Sequence, residues 1–278
     1  MPRFQQKLQA CAERNSSLLC IGLDPDLGSL PNGFKRDASG VVEFNRVVVE
    51  ATQDLVCAYK PNLAFYEALG SAGLRALEQT LRLIPPHVPT IGDAKRGDVP
   101  NTARLYAQAL FGTWGFDSAT VNPYLGLDSL EPFLEWEGKG VWVLCRNSNP
   151  GAADLQDLPA GRETAPLYAR VVAMVRDASA RADKGLVVGA TSARELGAVR
   201  ELAPEMPLLV LGVGAQGGDA RAAMRASDTG PAVISVSRSV LYGDDESDPA
   251  WAIRRRAEKM RLHLNALLAG PLIGRFEI

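Results

Sequence analysis

"TIGDAKRGDVPNTARLYAQALF", residues 90–111, opens on an apolar run and then places Asp93, Lys95, Arg96 and Asp98 within six consecutive positions. Beyond Pro100 the apolar residues recur at steps of three and four, the period of an amphipathic helix. Strand, charged turn and helix in that order form one βα unit, the building block of a parallel sheet. The charges have two readings. They are a solvated strand end whose surface pairs are worth about 0–1 kcal/mol, or they are part of a charged site.

Working outward, the same unit recurs. Eight β-rich runs are present: "SLLCIGLD", "DLVCAYKP", "VPTIGDAK", "SATVNPY", "GVWVLCRN", "GLVVGAT", "PLLVLGVG" and "AVISVSRS". Helical-period segments such as "GVVEFNRVVVEATQDL" and "PLYARVVAMVRDASARA" lie between them. Eight βα units predict an α/β fold of the (β/α)8 TIM-barrel type, one domain over residues 1–278, a length such barrels routinely use. The segment before the first run and "DPAWAIRRRAEKMRLHLNALLAG" after the last predict flanking terminal helices. The turn-rich stretch 148–164, "SNPGAADLQDLPAGRET", reads either as an active-site loop or lid or as an ordinary surface excursion.

Composition narrows the partners. The net charge is −2 and the charged fraction 22%, so there is no basic footprint for nucleic acid and no acidic tail. A small-molecule partner is expected. The four cysteines, Cys11, Cys20, Cys57 and Cys145, have no CxxC spacing and read as buried thiols of a reducing cytoplasm, with no metal site. No apolar run approaches about 18 residues, so no membrane span is expected, and the N-terminus lacks a signal-peptide core. The two histidines, His87 in a proline-rich loop and His263 on a helical stretch, read as structural, which leaves a Ser-His-Asp triad little room.

A barrel of this type carries its active site at the carboxyl ends of its strands. Here the first run ends at Asp24, the second at Lys60, the third at Asp93 and Lys95, the fifth near Ser148, the seventh at Gln216 and the eighth at Arg238. Asp93 and Lys95 are two apart, so strand alternation points them the same way, and Lys60 on the neighbouring strand supplies a second cation. An inward carboxylate beside an inward ammonium is costly unless paired. A structural ion pair plugging the barrel mouth satisfies these three residues equally well.

"VLGVGAQGGDARAA" holds Gly212, Gly214 and Gly217 in GxGxxG spacing. By itself this is a dinucleotide fingerprint. Its place on the seventh of eight units argues instead for the phosphate site that barrels build from their last two loops, with backbone N–H groups approaching the anion and Arg238 adding a bidentate cation.

Lys60, "DAKRGD", "GVGAQGGD" and "SVSRS", in this order, closely resemble the orotidine 5′-phosphate decarboxylases, most of all their longer-chain bacterial group. The likeness runs from about Asp24 to Arg238, and the D-x-K-x-x-D signature at Asp93, Lys95 and Asp98 is its most specific part. The resemblance implies decarboxylation of orotidine monophosphate to UMP in pyrimidine biosynthesis, without metal or cofactor, by a homodimer of barrels. It implies that Lys60, Asp93 and Lys95 act in one subunit's site, that Lys95 protonates C6 of the pyrimidine, and that Asp98 and Thr102 reach into the partner's site. It assigns Asp24 and Lys60 to the ribose, Ser148 to the base, and Gln216 and Arg238 to the phosphate.

Three rivals stand beside it. A magnesium-dependent sugar-phosphate decarboxylase of the same superfamily shares the D-x-K-x-x-D strand, but Lys60 would repel its metal. A catalytically silent phosphate-binding barrel would keep costly buried charges without use. An NADP-dependent oxidoreductase rests on the glycine spacing alone.

Overall fold

The computed structural model describes residues 3–160, 165–214, 218–228, 230–243 and 247–268. All eight expected strands form: β1 (Leu19–Leu23), β2 (Ala58–Pro61), β3 (Ile91–Arg96), β4 (Ser118–Val121), β5 (Gly140–Leu144), β6 (Asp183–Gly189), β7 (Leu208–Leu211) and β8 (Ala232–Val236). They pair in parallel in the order β2-β1-β8-β7-β6-β5-β4-β3. Single bridges Tyr59–Thr90 and Asn62–Asp93 then join the two outer strands and bring the sheet round into a barrel.

The strands are continuous apolar runs because helices cover their outer face and side chains fill the inside, leaving neither face wet. Every residue of β1, β2, β4 and β8 is buried. The helix Ala38–Thr52 illustrates the outer layer. Asp37 caps it by accepting from the N–H groups of Ser39 and Gly40, and Val41, Phe44, Val48 and Val49 form its buried stripe. The helix that begins at Pro100, with proline at the first position where its missing N–H costs nothing, loosens after Ala107 into a wider i→i+5 turn over Gln108–Thr113.

Both terminal helices are present. Phe4–Asn15 closes the amino end of the barrel, where Phe4 meets Trp142 edge-on at 5.9 Å and donates its N–H to the Gly138 carbonyl. Gly140 makes this possible, since a Cβ there would stand 2.3 Å from the Phe4 ring. Pro249–Ala266 lies along the side, held by the Arg254–Asp54 pair and by Arg261 and Asn265, which donate to the carbonyls of Asn15 and Ser16. The amino end is thus plugged, and the open cavity lies at the other end. All four cysteines are free and buried. No described helix is long and apolar enough to cross a membrane.

Candidate active site

At the carboxyl ends of the strands lies a cavity of about 440 Å³, within the range of small-molecule sites. Its floor is one carboxylate. Asp93 Oδ2 accepts from Lys60 Nζ at 2.7 Å, and Oδ1 accepts from Lys95 Nζ at 2.5 Å and from the Thr120 hydroxyl at 3.0 Å. The Lys60 and Asp93 side chains are 4% and 3% exposed, whereas that of Lys95 is 41% exposed. Lys95 therefore reaches the buried acid from the open side.

Burial alone would push the Asp93 carboxyl up. The ammonium groups of Lys60 and Lys95 outweigh that and hold it well below the usual carboxylate range. Burial would likewise lower Lys60, but the charges of Asp93 and Asp24 win and raise it above an ordinary lysine. At neutral pH Asp93 and Lys60 are thus a buried ion pair.

The strand reaches this arrangement by a distortion that alternation does not foresee. Four steps along β3, Gly92 to Arg96, oppose two along β4, Ala119 to Val121. Lys95 sits at φ +49°, a left-handed conformation rare for a residue with a side chain. Asp93 and Lys95 meet, as expected, but through this bulge rather than by simple two-residue periodicity.

The opposite wall is built differently. Asp24 Oδ1 is buried in the wall without a hydrogen-bond partner among the described residues. Gly22 has no room for a side chain, because a Cβ would stand 2.0 Å from Ser237 Oγ. Gly212 and Gly214 have φ of +89° and +88°, which only glycine adopts readily, and a Cβ on Gly218 would stand 2.5 Å from the Gly212 carbonyl oxygen. Arg238, exposed at the start of the turn Arg238–Leu241, lines the cavity beside Ser237. Ser148 also lines it. Its backbone crosses the end of β6, with its N–H nitrogen 2.6 Å from where a Gly189 Cβ would be.

The model of the Orotidine 5'-phosphate decarboxylase / HUMPS family matches residues 17–254. The chain belongs to this family. The orotidine 5'-phosphate decarboxylase of Thermomicrobium roseum is 50% identical over 262 residues, covering 93% of each chain. The solved OMP decarboxylase of Leishmania donovani superimposes with a TM-score of 0.81 at 35% identity, over 95% of this chain and 98% of that one. The UMP synthase structure of Leishmania donovani gives a TM-score of 0.86 at 37% identity, over 96% of this chain. This chain spans 57% of that longer protein. Family membership and these likenesses make the chain an enzyme, a carboxy-lyase with a TIM-barrel fold.

Of the nine residues singled out in the sequence, six line the one cavity: Asp24, Lys60, Asp93, Lys95, Ser148 and Arg238. Asp98 and Thr102 do not. Asp98 is half-buried after β3 and accepts from the Val99 N–H, and Thr102 sits in the first turn of the next helix. Gln216, with Gly217, lies outside the described residues. The loop 148–164 is tied down over its described part. Buried Arg146 forms a bidentate pair with Asp157 at 2.7 and 3.0 Å, and the Asn147 N–H donates to Gln156 Oε1. Residues 161–164 lie outside the described part. Sequence reasoning missed Thr120, Ser237 and the Arg146–Asp157 brace.

Proposed function

We propose that this chain decarboxylates orotidine 5′-monophosphate to UMP and CO2, as its relatives' names say of them. The observation that carries the reading is the single carboxylate, Asp93, held between the buried Lys60 and the half-exposed Lys95 at the cavity floor.

Breaking the C6–carboxylate bond leaves its electron pair at C6, where no resonance sink accepts it. A fixed cation beside C6 stabilises that charge. Lys95 supplies the cation and then transfers an ammonium proton to C6, giving UMP, and regains a proton from solvent. Asp93 orients Lys95, and its own charge repels the substrate carboxylate before it departs. At 4 Å and an effective dielectric near 20 that repulsion is about 4 kcal/mol, roughly three factors of ten in rate if released on the way to the transition state.

The remaining roles follow the same assignment. Asp24, with its unpartnered oxygen, and Lys60 meet the ribose hydroxyls. Ser148 meets the base, and Arg238 and Gln216 bind the phosphate, whose remote binding energy serves the reacting end. Two copies of the chain form a homodimer in the cytoplasm, with Asp98 and Thr102 completing the partner's site. The exposed apolar side chains near these two residues, Val99, Leu105 and Tyr106, with Tyr124 and Leu125 after β4, support such an interface.

The rival reading is the magnesium-dependent sugar-phosphate decarboxylase of the same superfamily. Both Asp93 oxygens already hold ammonium groups, and Lys60 stands where a divalent ion would be repelled. The test is the loss of orotidine monophosphate absorbance in excess chelator. Full activity is expected. Complete loss that magnesium restores would transfer the assignment to the sugar-phosphate chemistry.

A further inference from the structure

We propose that Thr120 is a positioning residue for this reaction, its hydroxyl holding Lys95 in the conformation that aims the proton donor. The inference rests on the reading of Lys95 given above and adds what keeps it in place.

Thr120 is buried in β4, beside the bulge of β3. Its Oγ1 accepts two backbone N–H groups, from Ala94 at 3.0 Å and from Lys95 at 2.9 Å. A hydroxyl has two lone pairs and one proton. With both lone pairs engaged, the proton is left for Asp93 Oδ1, 3.0 Å away. One side chain thereby fixes the Lys95 backbone and the carboxylate that receives the Lys95 ammonium.

The peptide between Ala94 and Lys95 is held at both of its polar atoms. Thr120 takes its N–H, and Arg96 Nη1 donates to its carbonyl at 3.2 Å. Arg96 is itself fixed by Glu67 and by the Tyr106 ring, 5.3 Å from its guanidinium. Rotation of this peptide plane changes φ of Lys95, which stands at +49° against the ordinary preference of a residue with a Cβ. Such a conformation persists only where its surroundings over-determine it. Without the hydroxyl, two N–H groups lose their acceptor, the plane is free to turn, and the ammonium shifts relative to C6. Displacement by about 1 Å costs on the order of 100-fold in rate.

The experiment compares Thr120→Val, nearly isosteric, with Thr120→Ser, which keeps the hydroxyl, in the full-length chain. Turnover is expressed per UMP-binding site, counted by calorimetric titration, so that loss of folded protein does not register as loss of catalysis. Thr120→Val is expected to lower kcat about 100-fold with KM within roughly threefold, and Thr120→Ser to stay within about fivefold of the parent. Thr120→Ala removes the same hydroxyl with less steric demand and replaces the valine variant if that fails to fold. A kcat per site within about threefold of the parent in the valine or alanine variant, or an equal loss in serine and valine, overturns the proposal. Lys95→Ala, assayed in parallel, separates the two failures. If it stays active, the reading of Lys95 has failed. If it is dead while Thr120→Val is active, only the role of Thr120 has.

Discussion

The two walls of the cavity are opposites. At the end of β3 every charge is answered: Asp93 takes Lys60, Lys95 and Thr120, and the backbone beside it is pinned on both sides. On the wall formed by β1, β7 and β8, Asp24 Oδ1 is buried without a partner among the described residues. Two glycines there hold positive φ, and Arg238 is exposed. The first wall is organised before a ligand arrives, as a group that must meet charge in a transition state should be. The second is left incomplete, and unmet polar groups of that kind are what a polar ligand completes. Under the proposed function the first wall is the reacting end and the second the gripping end.

The largest effect should come from the organised wall. Lys95→Ala is expected to lower kcat by more than about 1,000-fold, since it removes both a general acid and a fixed cation, while UMP binding changes by less than roughly tenfold. Stopped turnover with intact UMP titration sharpens the contrast. Substantial turnover would remove Lys95 from the chemistry.

The gripping wall should respond differently. Arg238→Ala is expected to raise KM for orotidine monophosphate about 10- to 100-fold, the scale of a charge-assisted hydrogen bond worth roughly 1.5–3 kcal/mol. The phosphate-free nucleoside should be processed as by the parent. Equal losses on both substrates would erase the distinction, because Arg238 would then act on something other than the phosphate.

The glycines of the gripping wall were legible in the sequence, and for a physical reason. Positive φ selects glycine, so Gly212 and Gly214 leave a mark in the letters themselves. The barrel was legible likewise, because strands buried on both faces read as unbroken apolar runs, and each of the eight became a strand. Asp24, Lys60, Asp93 and Arg238 were found by asking what ends each run. Thr120 was not. In "SATVNPY" it is one more β-branched strand residue, and its role appears only when the β3–β4 register shifts and brings two N–H groups onto one hydroxyl. Nor does any local signal announce that Lys95 adopts a left-handed φ, which tertiary contacts impose on a residue that would not choose it. The Arg146–Asp157 brace joins positions eleven apart through a loop that reads as irregular.

Asp98 belongs to neither wall, and it gives the finest test of the comparison. It follows Lys95 by three residues, yet the chain turns away after Arg96, and the Asp98 carboxylate accepts from its neighbour's N–H rather than entering the cavity. If it serves the chemistry, it does so in another subunit. Lys95→Ala and Asp98→Ala homodimers should then both be nearly inactive. Lys95 is preferred to Lys60 as the first partner because its side chain is half exposed. Removing the buried Lys60 would instead leave Asp93 short of a partner inside the barrel, at a cost of about 3–5 kcal/mol. Dissociated and remixed, the two variants form heterodimers in which one site carries both defects and the other neither. With random pairing into isologous dimers, about a quarter of all sites should regain full activity. Absence of recovery, in a mixture that native mass spectrometry shows to contain heterodimers, would place Asp98 in its own chain's function and leave the organised wall complete within one subunit.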